Sequence, residues 1–216
     1  MITTLGWLAA IVAVPIVVRV TFVLVGPFFA GAALGHAARD LGRRAERPPD
    51  RVHLSSRGPE VWRHPDQAGA LVTPLLENGF EDAGSFGVNE MPGVFLRLMT
   101  DARNGILAVV YEHPRAAHWL ELITRYPDGS SATFTTLRPS GLAPRPGHLI
   151  AYAPGHDAGA LLARSLKERP AQPPTAVSRA KAVQLFEAGY SDAVAWRKDR
   201  VASAPDVTGV AQHRTA

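Results

Sequence analysis

The residues best equipped for chemistry sit together in one stretch, Tyr111-Glu112-His113-Pro114-Arg115-Ala116-Ala117-His118-Trp119-Leu120-Glu121. It reads as two strands around a loop at 114–117. In that register His113 faces His118, because directly opposed antiparallel residues project to the same side. Two imidazoles that close begin a zinc or iron site, but a catalytic metal takes a third protein ligand, and Glu112 and Glu121 alternate to the other face. His148, His156 or Asp157 supply one only if the fold brings them there. Solvent-facing or capped histidines are the simpler expectation, and no metal or other cofactor is assigned.

Glu112 and Glu121, expected on one face with Arg125 beyond them, offer a second chemistry. Paired carboxylates divide acid and base roles when their surroundings split their pKa values. Cross-strand ion pairing on the wetter face is the ordinary alternative. The hydroxyl residues at 130, 131, 133, 135 and 136 suit a strand edge and its turn, and no Gly-x-Ser-x-Gly elbow accompanies them. These residues define no catalytic set, and the sequence does not decide whether the chain is an enzyme.

A third feature is Leu142-Ala143-Pro144-Arg145-Pro146-Gly147-His148. Closely spaced prolines hold an extended backbone, and this one presents Arg145 and His148 as candidates for contact with another protein. A plain connection across the end of the sheet is the competing reading.

Several elements must position these residues. Leu71, Leu75 and Leu76 at helical spacing predict a helix that stops at Asn78-Gly79. Strands follow at 79–88, 94–100, 106–113, 118–126 and 132–137. Their connections hold Pro92-Gly93, Asn104-Gly105, Pro114 and Asp128-Gly129, which are hairpin signals. Sequential strands joined by tight turns make an antiparallel meander. Helical patterns return at Leu161, Leu162 and Leu166 and again at Val177, Val183, Phe186 and Tyr190. Gly189 is expected to break the last helix, with Ser191 capping a new one ahead of Val194 and Trp196. The stretch 44–66 carries Pro48, Pro49, Pro59 and Pro65 without apolar periodicity and reads as a linker or irregular wrap, in which Trp62 anchors at headgroup level or tucks into the domain.

Before all of this, residues 5–34 hold a single charge, Arg19, and Arg39, Arg43, Arg44, Arg47 and Arg51 follow. About 20 apolar residues span a bilayer, so the run predicts a retained membrane anchor. A signal peptide wants a basic n-region and a shorter apolar stretch. Arginine on the C-terminal flank places the main domain on the cytoplasmic side. Arg19 lies at the outer interface if the span is 18–37, leaving 5–17 interfacial or re-entrant; in a helix centred on it, Arg19 needs a carboxylate partner. Gly31 and Gly35 allow close helix packing in lipid, consistent with a membrane-protein partner or self-association.

The expected fold is α+β: an antiparallel five-stranded meander packed with flanking helices, preceded by one N-terminal transmembrane helix. Its divisions are an anchor at 1–38, a basic and Pro-containing linker at 39–65, an α+β domain at 66–200 and a disordered tail at 201–216. The chain has no cysteine, which removes disulfides and thiolate chemistry. No Gly-x-Gly-x-x-Gly or Walker loop is present. A net charge of +4 and a pI near 9.8 invite a nucleic-acid reading, but the charge is scattered or next to the span, so no nucleic acid is expected. The basic residues are nearly all arginine, with lysine only at 167, 181 and 198, a composition of GC-rich bacterial genomes. The resulting expectation is a single-pass protein of a bacterial inner (cytoplasmic) membrane, in contact with the lipid bilayer, acting as a non-catalytic accessory or assembly component of a membrane complex. The alternative is a small-ligand or lipid-binding domain, enzymatic or not, with a pocket between sheet and helices.

Overall fold

Turn residues set the spacing of a sheet in which each strand lies beside its neighbours in sequence. The computed structural model describes residues 48–58, 61–114, 116–139 and 144–202. The expected membrane span, with Arg19, Gly31 and Gly35, and the expected tail from 203 onward lie outside these. The strands are β1 (Leu54–Arg57), β2 (Glu81–Val88), β3 (Phe95–Asp101), β4 (Ile106–His113), β5 (Ala116–Arg125), β6 (Ser131–Thr135) and β7 (His148–Tyr152). They form a 7-stranded sheet in the order β1 to β7. Neighbours are antiparallel except β6 and β7, which are parallel. The helices are α1 (Pro65–Glu77), α2 (Ala158–Glu168) and α3 (Ala182–Ala202), the last preceded by a 3-10 turn at Arg179–Lys181.

The fold is therefore α+β, and the five strands expected from the turn signals are β2 to β6. Two further strands extend the sheet at its edges. β1 comes from the proline-containing stretch read as a linker, and β7 starts at His148, the last residue of the proline-rich stretch for which a plain connection is the competing reading. A parallel pair cannot be joined by a hairpin, so no local turn announces β7. The segment before β1 is bound to α3. The Tyr190 hydroxyl donates to the Pro49 carbonyl at 2.9 Å, the Leu54 N–H donates to Glu187 Oε1 at 2.7 Å, and Lys198 pairs with Asp50.

Both faces of the sheet are covered, which explains why β4 is apolar at nearly every position instead of alternating. Leu98, Val109, Tyr111, Trp119 and Ile123 pack under Phe186, Tyr190 and Val194 of α3. On the other face, Met99, Ala108, Val110, Leu120, Leu122 and Phe134 pack against Val72 and Leu75 of α1 and Leu161 of α2.

The end of α1 follows its sequence signal. Gly79 takes φ 87°, its N–H returns to Leu76 O at 2.9 Å, and the Phe80 N–H returns to Leu75 O at 3.1 Å. This closes the last carbonyls and seats Phe80 in the core. Of the three leucines that predicted the helix, Leu75 is buried, while Leu76 remains 42% exposed. At the start of α2 the Asp157 side chain accepts the Ala160 N–H at 2.7 Å.

The expected break in the last helix does not occur. α3 runs unbroken through Gly189, and Ser191 caps nothing: its hydroxyl donates back to the Glu187 carbonyl at 3.0 Å. The missing side chain at 189 instead leaves room for the Arg125 guanidinium. Among the described residues, no helix is long and apolar enough to cross a membrane.

Candidate functional site

The β4–β5 hairpin is tighter than its sequence suggested, and that changes which side chains meet. Tyr111 lies opposite Trp119, but His113 lies opposite Ala116, so the register shifts between them. One residue of β4, Glu112, thus faces residues 117 and 118 of β5, the geometry of a bulge. His113 does not face His118. Glu112, expected on the opposite face, is the residue that meets His118, with Oε1 at 3.0 Å from Nε2.

Around that pair the chain entering α1 closes a network. Glu112 is 2% exposed, and its carboxylate accepts the Arg63 N–H at 2.9 and 3.1 Å and the His64 N–H at 3.0 Å. These are backbone donors at the helix entrance, where a negative charge is favoured by the peptide dipoles. The His64 side chain does not cap α1; the carboxylate from β4 instead holds the backbone N–H of the cap residue itself and of Arg63 before it. His118 Nδ1 lies 3.0 Å from the Gln67 side-chain oxygen. The ring also stacks on Trp62 at 6.2 Å and meets His64 edge-on at 5.8 Å. Trp62 itself is buried, its indole N–H donating to Ser85 Oγ at 3.2 Å. Burial lowers the His118 pKa, the Glu112 charge opposes that, and His64 adds to it. The neutral ring donates Nε2–H to Glu112. The Gln67 amide serves either ring state, since an amide offers both a donor and an acceptor.

Glu121 belongs to the other side of the sheet. It sits opposite Val109 under α3, 1% exposed, with the Tyr111 hydroxyl donating to Oε2 at 3.2 Å. Burial pushes its carboxyl up to about 8, against the Tyr111 hydroxyl and the nearby Trp119 indole, which favour the anion. The same burial drives the Tyr111 hydroxyl well above its ordinary range. Arg125 does share the face of Glu121, as expected, but its guanidinium donates to the Leu185 carbonyl at 2.8 Å. Glu112 and Glu121 thus lie on opposite faces of one sheet and cannot share a substrate.

The third group of candidates is brought together. His148 opens β7 and Arg145 lies in the turn before it, the Arg145 carbonyl accepting the His148 N–H at 2.9 Å. The His148 ring reaches Ser131 on β6, with Nδ1 2.7 Å from Oγ. Ser131 read as an ordinary strand residue because the parallel β6–β7 pairing leaves no local mark.

Among the described residues, no three His, Cys, Asp or Glu side chains cluster closely enough to hold a metal ion. A cavity of about 20 Å³, room for a single water, lies beside Arg125, Leu107, Ile123 and Val177. The residues that sequence reasoning did not join to Glu112 are Trp62, His64 and Gln67, which lie 45 or more positions before it. The described residues define an α+β protein with a seven-stranded, mostly antiparallel sheet. In comparisons with known proteins, the chain matches no protein family, no curated protein and no solved structure.

Proposed function

We propose that the chain is a membrane-anchored interaction domain, a non-catalytic accessory component of a membrane complex with its folded part on the cytoplasmic side. The observation behind this reading is the separation of Glu112 and Glu121 by the sheet, each bound within its own network. A ligand pocket between sheet and helices would ask Glu112, Glu121 or His113 to converge on open space. The first two are instead enclosed on opposite faces, and the cavity beside Arg125 has room for about one water. Residues suited to contact are on the outside: Leu76, Leu149 and Leu166 are exposed, and β7 lies at an edge of the sheet. The apolar run at 5–34 and the arginines after it support the anchor and its orientation.

The test is affinity purification of the full-length protein from native membranes in mild detergent. A stoichiometric protein partner that is lost on deleting residues 1–37 supports the reading. Recovery of the protein alone, or with a small molecule, overturns it. Protease protection of a C-terminal tag in right-side-out vesicles checks the orientation, and cleavage from outside reverses it.

A further inference from the structure

Arg125, Ser131 and His148 form one row across three neighbouring strands. Arg125 pairs with Ser131 between β5 and β6, and Ser131 pairs with His148 between β6 and β7. Strands lie about 4.8 Å apart, so the row spans roughly 10 Å. Arg145, in the turn leading into β7, completes the group, and its charge and that of Arg125 are both felt by the His148 ring. Among the described residues, Asp192 of α3 is the acid whose charge acts on both Arg125 and His148.

The donors of this group are largely unspent. Arg125 is more than half withdrawn from solvent, yet its guanidinium makes a single hydrogen bond to a described residue, through Nη2 to the Leu185 carbonyl. The Arg145 side chain makes no hydrogen bond or ion pair to a described residue. The His148 ring is held by Ser131 through Nδ1, and its other nitrogen has no hydrogen-bond partner among the described residues. When the Ser131 hydroxyl donates to Nδ1, the ring proton lies on Nε2, leaving a donor for a ligand. Burial lowers the pKa of the ring, the two arginines add to that, and Asp192 opposes it, so two guanidinium charges and one carboxylate act on the row.

We propose that Arg125, Arg145, Ser131 and His148 form a binding site for a phosphate group. Guanidinium forks match the oxygens of a phosphate, and a group with several acceptor oxygens suits donors spread along a row. The phosphate belongs to a soluble phosphorylated molecule or to an anionic lipid headgroup; the chemistry at the protein is the same. This site goes beyond the interaction role above and rests on different residues.

The experiment uses the full-length chain in maltoside micelles, which contain no phosphate, with isotope-labelled histidine observed by NMR. Inorganic phosphate is titrated against chloride at equal ionic strength. The His148 ring signals shift saturably with phosphate and not with chloride. Arg145→Ala weakens the apparent affinity about tenfold, as loss of one charge-assisted hydrogen bond requires, without lowering Tm. If Tm falls, Ser131→Ala provides the same comparison. In micelles doped with phosphatidylglycerol, His148 signals already at the phosphate-bound position identify the headgroup as the source, whereas an unchanged phosphate titration identifies a soluble one. An unshifted His148, or an equal response to chloride, overturns the site.

Discussion

The Arg125 guanidinium fills the space beside α3 that a side chain at Gly189 would take, so this glycine is a clearance and not a hinge. Arg125 uses the approach to donate to the Leu185 carbonyl, one turn earlier in the helix. Replacing glycine by alanine inside a helix normally stabilises by about 1 kcal/mol. Here the new methyl displaces the charged head and its hydrogen bond, worth about 1.5–3 kcal/mol. Gly189→Ala is expected to destabilise by about 1 kcal/mol, while the same change in an Arg125→Ala background stabilises by up to about 1 kcal/mol. Chemical denaturation of the four proteins of this cycle reads the change of sign.

Glu112→Ala removes the acceptor for two backbone N–H groups at the entrance to α1 and for the His118 ring. Each buried donor left without a partner costs about 1–3 kcal/mol, so the loss is expected to reach about 3 kcal/mol or more. Glu112→Gln keeps one acceptor oxygen and is expected to lose less. Urea denaturation followed by tryptophan fluorescence is a suitable measure, because Trp62 stacks on the His118 ring. Equal stabilities for Glu112→Ala and the parent chain would show that the network adds nothing.

How far such features were legible in the sequence depended on distance along the chain. Asn104-Gly105 and Asp128-Gly129 mark their turns because Gly105 and Gly129 need positive φ, 63° and 82°. Gly105 is doubly required, since a Cβ there would meet Pro174 at 2.6 Å. Those signals are local, and they located β2 to β6. β1 is short and set among prolines, and β7 finds its place only by lying parallel to β6. The histidine pairing failed for a similar reason. A one-residue bulge leaves no mark in composition but moves every side chain beyond it to the other face. Gly189 read as a breaker because its partner, Arg125, lies on a different element.

Glu121 makes stability depend on pH in the alkaline direction. Its folded pKa is about 8 against an ordinary 4.5, so between these values the folded chain keeps a proton that the unfolded chain releases. Stability from this group is fully present below 4.5 and is lost as pH rises through 8, at a slope of at most about 1.4 kcal/mol per pH unit. Glu121→Gln preserves the shape and removes the ionisation. Denaturation midpoints from pH 7 to 9, above the range in which His118 titrates, are expected to fall for the parent chain and to stay level for the variant; parallel profiles would place the titration elsewhere.

His118 bends the same profile the other way. Its folded pKa lies below 6.5 because burial outweighs the attraction of Glu112, so as pH falls through 6.5 the unfolded chain takes up a proton first. Stability from this group is therefore complete above 6.5 and declines as pH falls from there toward the folded pKa. The two effects overlap on the acid side, where the Glu121 contribution rises while that of His118 falls. Removing Glu121 first separates them. In a Glu121→Gln background, the remaining acid-side decline is expected to shrink with His118→Gln, whose amide can still meet Glu112, leaving the share of His148, whose pKa burial and two arginines also lower. If the decline is undiminished, the acid sensitivity comes from His148 or another group, and the Glu112 and His118 network serves only to hold the entrance of α1.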